Sequence, residues 1–267
     1  MEQRYTDYDP FAWTYNRHWG GHALRIFCPV LQVLLLPELR RNARVLDLCC
    51  GTGQLARWLT DQGYRVAGVD GSEAMLRFAE QNAPGASFTL ADARAFHLPR
   101  TCDAAISMFD SLNHILVLEE LAAVFRNVER TLTPGGIFLF DLNVRGGFRR
   151  TWETAGIVDG DHACISRTSY DDETRLTSWD MTIFRLLDQW ERRDFRLIQR
   201  IYEKAEIRDA LEDAAFCDIS VFDSEHCPQG LASLPPGKAF FLARKRRRQG
   251  RNRSTGPGAN VRLRRPR

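Results

Sequence analysis

The chain has 267 residues, 44% of them apolar, 10% aromatic and 27% charged. That composition fits one α/β domain with an embellishment, or two small domains, and excludes collagen-like, coiled-coil and wholly disordered chains. The formal charge of +3 conceals an asymmetry, because residues 244–267 hold eleven Lys/Arg and no acid, leaving 26 basic against 34 acidic residues in the remainder. A body that acidic is a poor surface for nucleic acid, so no specific nucleic-acid partner is expected.

No apolar stretch follows the first basic residue, so no signal peptide is expected. Tyr8 to Trp19 reads as an aromatic-rich amphipathic helix, and Leu24 to Leu39 as a second helix that Pro29 and Pro37 kink or end. The apolar segment Ile26 to Leu36 is too short to span a bilayer, and no membrane association is expected. Strand-like runs then alternate with helical ones: Arg44 to Cys49, a helix to about Gln62, Tyr64 to Val69, a helix over Ser72 to Gln81, Ala86 to Leu90, Ala104 to Met108, a long helix over Leu116 to Leu132, and Ile137 to Leu142. This alternation predicts an α/β fold with a doubly wound, mostly parallel sheet.

Near Gly146 the alternation stops. Ala163 to Tyr170, Arg175 to Phe184 and Asp194 to Tyr202 read as three antiparallel strands, the first two joined by the turn-rich Asp171-Asp172-Glu173-Thr174. Glu206 to Phe216 is helical in pattern, and Ile219 to Phe222 with Ala239 to Ala243 close the sheet. The expected organisation is a helical cover over 1–41, a main domain from 42–145 and 204–243, a small antiparallel β insertion over 146–203, and a disordered basic tail over 244–267. Seven scattered cysteines without a C-x-x-C pair argue against a disulfide framework or a zinc site and fit a reducing cytoplasm.

The chemistry is concentrated in Val45-Leu-Asp-Leu-Cys-Cys-Gly-Thr-Gly-Gln-Leu-Ala56, a strand that runs through a glycine turn into a helix. Gly51 and Gly53 permit a tight turn and the close approach of a ligand to the helix N-terminus. The spacing Gly51-x-Gly53-x-x-Ala56 alone also satisfies a dinucleotide pattern. Asp47 separates the two readings: a carboxylate at that strand end repels phosphate and suits an ammonium group. Asp70 closes the second strand, where it can accept both ribose hydroxyls. Asp92, after the third strand, can accept from an adenine amino group.

In these motifs, and in Pro134-Gly135-Gly136 before the fifth strand, the sequence resembles the class I S-adenosylmethionine-dependent methyltransferases over residues 8 to about 243. The resemblance implies a Rossmann-like seven-stranded sheet and S-adenosylmethionine as cofactor. It further implies Asp47 for the methionyl ammonium, through water or directly, Gly51 and Gly53 for close approach, Asp70 for ribose, Met75 and Ala93 around adenine, Asp92 on its amino group, and Gly71, Met108 and Phe109 as further cofactor contacts. Cys49 stands where the family has Gly, a departure that backbone geometry is expected to absorb.

Asp110-Ser-Leu-Asn-His114 and Tyr8-Asp-Pro-Phe-Ala-Trp-Thr-Tyr15, with the β insertion, are similar to a small-molecule subgroup that includes deoxyamino-sugar N,N-dimethyltransferases. That likeness implies a cytoplasmic enzyme, monomer or homodimer, that methylates N or O of a small metabolite, with the insertion as lid or dimer contact. Tyr8 and Tyr15 would cap the methionine end, and His114 would be the base. Asn113, Arg200 and Tyr202 are the candidate acceptor contacts; the last two share one strand face. No metal site is expected, since Asp141-x-Asn143 offers only two ligands. The alternatives are an NAD(P)-dependent oxidoreductase and a non-catalytic S-adenosylmethionine-binding protein.

Overall fold

A computed structural model describes residues 7–145 and 154–247. A helical run over Asp9–Glu38 opens the fold. It changes character along its length: 3₁₀ over Asp9–Phe11, one α turn α1 (Ala12–Thr14), a π-helical turn over Tyr15–Trp19, and α2 (Gly20–Leu34), with Pro29 inside it. The sequence predicts two helices here, whereas the structure joins them. The joined run is long and apolar enough to cross a membrane by composition. Phe27, Val30, Leu31 and Leu35 are nevertheless buried in the core.

The main sheet follows the predicted alternation. Its elements are β1 (Arg44–Leu48), α3 (Gln54–Asp61), β2 (Arg65–Asp70), α4 (Glu73–Asn82), β3 (Ser87–Leu90), β4 (Cys102–Ser107), α5 (Leu118–Thr131) and β5 (Leu132–Asn143). After the insertion come α6 (Lys204–Asp213), β10 (Phe216–Phe222) and β11 (Lys238–Lys245), numbered in chain order with the strands below. The seven-stranded order is β10-β11-β5-β4-β1-β2-β3. Five neighbouring strands pair in parallel, and β11 runs antiparallel to both β5 and β10.

Strand alternation separates two core layers. Along β5, Phe138, Phe140 and Leu142 pack with Leu121, Val124 and Phe125 of α5 and Ile207 and Leu211 of α6. Ile137 and Leu139 face the opposite layer, with Phe27 and Leu31 of α2 and Leu55 and Leu59 of α3. Buried on both sides, such a sheet holds its carboxyl edge rigid, and that is where α/β proteins bind ligands.

The insertion is a four-stranded antiparallel sheet: β6 (Thr154–Asp159), β7 (His162–Asp171), β8 (Leu176–Leu186) and β9 (Trp190–Arg200). The sequence predicts only three of these. The first, Thr-Ala-Gly-Ile-Val-Asp, is short and carries a glycine, so its pattern is weak. One face buries Cys164, Met181, Ile183 and Leu197 against Phe11, which clamps the N-terminal run to the insertion. Beyond β9, Tyr202 makes a parallel bridge to Val144, tying the insertion back to the end of β5. At the other terminus β11 continues through Arg244 and Lys245. Arg244 pairs with Glu38, and Lys245 donates to the Glu129 and Leu132 carbonyls. The predicted tail therefore begins later than residue 244; its residues 248–267 lie outside the described residues, as do 146–153 of the predicted insertion.

Candidate functional site

A cavity of about 400 Å³ lies over the carboxyl ends of β1 to β4, closed by the N-terminal run on one side and by β8 and β9 on the other. Its floor begins at the turn after β1. Cys49, Gly51 and Gly53 all have left-handed backbone, with φ of +59°, +54° and +81°. At Gly51 an added Cβ would come within 3.6 Å of the Tyr15 ring, so the absent side chain keeps the cavity open. Gly53 does different work. It caps α3 away from the cavity, and a Cβ there would sit 2.8 Å from the Ala79 backbone, so it is needed for α3 to pack on α4. Cys49 adopts the conformation expected of a glycine and lines the cavity with a half-buried thiol that desolvation keeps protonated.

Asp70 lines the cavity, with each carboxylate oxygen receiving one backbone N–H: Gly51 N on Oδ2 at 2.8 Å and Ser72 N on Oδ1 at 2.9 Å. Burial still raises its pKa, and each oxygen retains a second lone pair for a ligand. Ser72 also accepts from Met75 N at the start of α4, and its hydroxyl donates to Asp9, so the Asp70 edge of the cavity is tied to the N-terminal run. Met75, Gly71, Asp92 and Ala93 complete this half of the lining. Burial by itself would raise Asp92, but Arg94 donates to both of its oxygens at 2.8 Å and holds it below the usual carboxylate range. Arg94 also donates to Glu120 at 2.8 Å.

Asp47 does not itself line the cavity. It lies behind the lining, 2% exposed, and its Oδ2 has no partner. Burial, with Asp70 nearby, pushes its carboxyl up to about 7. Burial thus disfavours the charged form of Asp47, and among the described residues no cation offsets it; a positively charged ligand would draw the carboxylate form out.

The other half is built around the turn after β4. Phe109 and Asp110 both have positive φ, +67° and +49°. The turn swings Phe109 into the cavity beside Tyr15, while Met108 stays in the core and does not line it, contrary to its predicted contact. His114 stands on the rim with its tautomer defined by its neighbours. Nδ1–H donates to Ile198 O at 2.8 Å, leaving Nε2 to accept from Tyr8 Oη at 2.9 Å and from the Gln199 amide at 3.2 Å. Burial lowers the His114 pKa and Asp110 partly offsets it, so the neutral ring prevails at pH 7. Tyr15 lines the same wall, its hydroxyl held protonated by burial and by Asp110 and Asp70.

The three predicted acceptor contacts do not reach the cavity. Asn113 is fully buried, donating to Asn143 O and Arg200 O and accepting from Asn143 N. Arg200 donates to Leu116 O, and the Tyr202 hydroxyl donates to Ile115 O. These side chains fasten the loop that carries His114. Along β9 it is Leu197 and Gln199, of the opposite parity, that face the cavity, with Trp179 of β8 paired across from Leu197. The Trp179 indole N–H is buried without a partner. Sequence reading missed Phe11, Trp19, Arg94, Glu120, Trp179, Leu197 and Gln199 as lining; the period of two in β9 held the signal, displaced by one residue. In place of a metal, Asp141 Oδ2 and Asp110 Oδ1 accept from Lys238 Nζ at 2.8 and 2.5 Å.

Comparison with known proteins agrees with this geometry. Residues 45–136 match a family described as a methyltransferase domain. The Bacillus subtilis protein YqeM is 38% identical over 112 residues, 40% of this chain and 44% of its own. A dTDP-3-amino-3,4,6-trideoxy-alpha-D-glucopyranose N,N-dimethyltransferase of Streptomyces venezuelae is 32% identical over 47% of this chain and 54% of its own. The chain thus spans about half the length of these two relatives. It covers 90% of a dTDP-4-amino-2,3,4,6-tetradeoxy-D-glucose N,N-dimethyltransferase of Saccharopolyspora spinosa, at 26% identity over 88% of this chain. Among solved structures, a S-adenosylmethionine-dependent methyltransferase of Clostridium acetobutylicum superposes with TM-score 0.72 at 20% identity, over 90% of this chain and 99% of that one. A sugar N-methyltransferase of Streptoalloteichus gives 0.69 at 20% identity, over 90% and 92%.

Proposed function

We proceed from the match of residues 45–136 to a methyltransferase domain and propose that the chain transfers a methyl group from S-adenosylmethionine to a nitrogen or oxygen of a small metabolite. The lining residues fit that cofactor. Asp70 keeps lone pairs for the ribose hydroxyls, Gly51 and Gly71 leave its backbone approach open, and Met75 and Ala93 flank the adenine site, where Asp92 accepts from the amino group. Asp47 acts from behind the lining, its unpartnered oxygen adding negative charge toward an ammonium. Tyr8 and Tyr15 close the methionine end.

When bound, S-adenosylmethionine supplies a methyl carbon already activated on a sulfonium. The protein's own work is to orient the acceptor, exclude water and receive one proton. Phe11, Trp19 and Trp179 exclude water with apolar surface. The acceptor N–H or O–H gives its proton to His114 Nε2, which the Nδ1–H bond to Ile198 O leaves unprotonated, as an acceptor. Tyr8 Oη holds the same lone pair and yields it to the acceptor.

The observation that carries this reading is that His114, its Nδ1 on Ile198 O, and Asp70 at the end of β2 line one cavity. The sugar N,N-dimethyltransferases among the relatives make an amine, and an amino sugar first, the acceptor to test. The test is a mass screen of amines and hydroxyl compounds, nucleotide-linked amino sugars included, incubated with S-adenosylmethionine. Products one or two methylene groups heavier are expected. No heavier product from any acceptor, with the cofactor bound, would leave a binding protein instead.

A further inference from the structure

Lys238 opens β11 and is paired across the sheet with Asn143, far in sequence from every residue of the cavity. Its ammonium lies between two buried carboxylates, Asp110 and Asp141, which are 8% and 0% exposed. Side by side in a desolvated place these two acids cannot both stay ionised without a cation. Asp141 Oδ2 also accepts from the Asp110 backbone N–H at 3.1 Å. The cluster therefore holds the Phe109–Asp110 turn in its left-handed conformation, which is strained outside glycine and persists only where neighbours enforce it.

The second oxygen of Asp110 leads to the cavity. Gln199 Nε2 donates to Asp110 Oδ2 at 2.5 Å, and Gln199 Oε1 accepts from Asn143 Nδ2 at 3.2 Å, which fixes the amide's orientation. The other Nε2 hydrogen then faces His114 Nε2 at 3.2 Å. Resting on the reading of His114 as the base, we propose that Lys238 is a positioning residue for that base: through Asp110 and Gln199 it fixes the atom and the protonation state in which His114 meets the acceptor. The groups acting on the imidazole are then balanced. Burial opposes its positive form, Asp110 and Asp7 favour it, the Tyr8 hydroxyl holds the lone pair, and Lys238 offsets Asp110 from behind.

The test is a titration of His114 by NMR in the ligand-free protein, with the resonance assigned by its loss in His114→Gln; it requires neither cofactor nor acceptor. The wild-type midpoint is expected below the ordinary histidine value. Lys238→Met sends a proton to Asp141, the more deeply buried acid, and leaves Asp110 charged beside the ring, so the midpoint should rise by roughly one pH unit. Lys238→Arg should restore it, and Asp110→Asn should move it the opposite way. A folded Lys238→Met with an unmoved midpoint overturns the proposal, whatever its thermal stability. Should Lys238→Met not fold, Gln199→Leu cuts the same chain without stranding a charge. It must also raise the midpoint, because a donor to the neutral nitrogen is lost; no change there overturns the proposal equally. Failure of the methyltransferase reading would appear elsewhere, as absent binding of S-adenosylhomocysteine in calorimetry.

Discussion

The two halves of the cavity are built by different means. On the cofactor side, Gly51 and Asp92 sit in the turns that follow parallel strands and Asp70 ends one, and the bonds that orient Asp70 come from backbone N–H groups within a few residues of the strand ends. On the acceptor side, His114 is held by Ile198 and Gln199 of β9 and by Tyr8 of the N-terminal run, with loop contacts spanning more than 80 residues of sequence. The first half is a local property of the strand–turn–helix unit. The second exists only once the insertion and the N-terminal run have docked.

If the halves are that separate, substitutions should divide cleanly between them. The largest effect is expected from His114→Gln, which should lower kcat by about 10²–10⁴-fold with any acceptor the wild type methylates, leaving S-adenosylhomocysteine affinity within twofold. Loss of cofactor affinity in calorimetry would merge the halves. Next comes Asp47→Asn. With its folded carboxyl near 7 and the unfolded one near 3.9, the folded protein binds the extra proton. Stability is therefore lost as pH rises between these values, by about 1.4 kcal/mol per pH unit, and is level above. Thermal melts of the ligand-free protein should show that slope in the wild type and not in the variant, which is the more stable at pH 8; parallel curves would refute it.

Asp70→Ala should weaken S-adenosylhomocysteine by about 1–3 kcal/mol through lost hydrogen bonds to the ribose, with His114 titrating as before. A shifted imidazole in that variant would show the halves to be coupled. Tyr202→Phe should have the smallest effect. It removes one bond to Ile115 O and should cost about 1 kcal/mol of stability, with no direct effect on cofactor affinity. A cofactor-specific defect would return Tyr202 to the cavity.

This division also accounts for what the sequence could convey. The parallel sheet and the residues at its edge were legible because strand ends, positive-φ glycines and acids at fixed spacing are local patterns, and Gly51, Gly71, Asp70, Met75, Asp92 and Ala93 all line the cavity. Gly53 carried the same signal for another reason, the packing of α3 on α4. Asp47 was legible as a strand-end acid but not as one set behind the wall. On β9 the alternation is visible while its phase is not, since only docking against the N-terminal run and the loop after β4 decides which face is buried; Leu197 and Gln199, not Arg200 and Tyr202, face the cavity. Lys238 had no local pattern at all, because its partners come from β5 and from the turn after β4.

The most direct measurement is calorimetric titration of the intact protein with S-adenosylhomocysteine and, separately, with NAD. A saturable single-site isotherm with the first and none with the second is the expected result, because the Asp70 carboxylate in the lining, with Asp47 behind it, disfavours a pyrophosphate. Binding of NAD in preference to S-adenosylhomocysteine would contradict it.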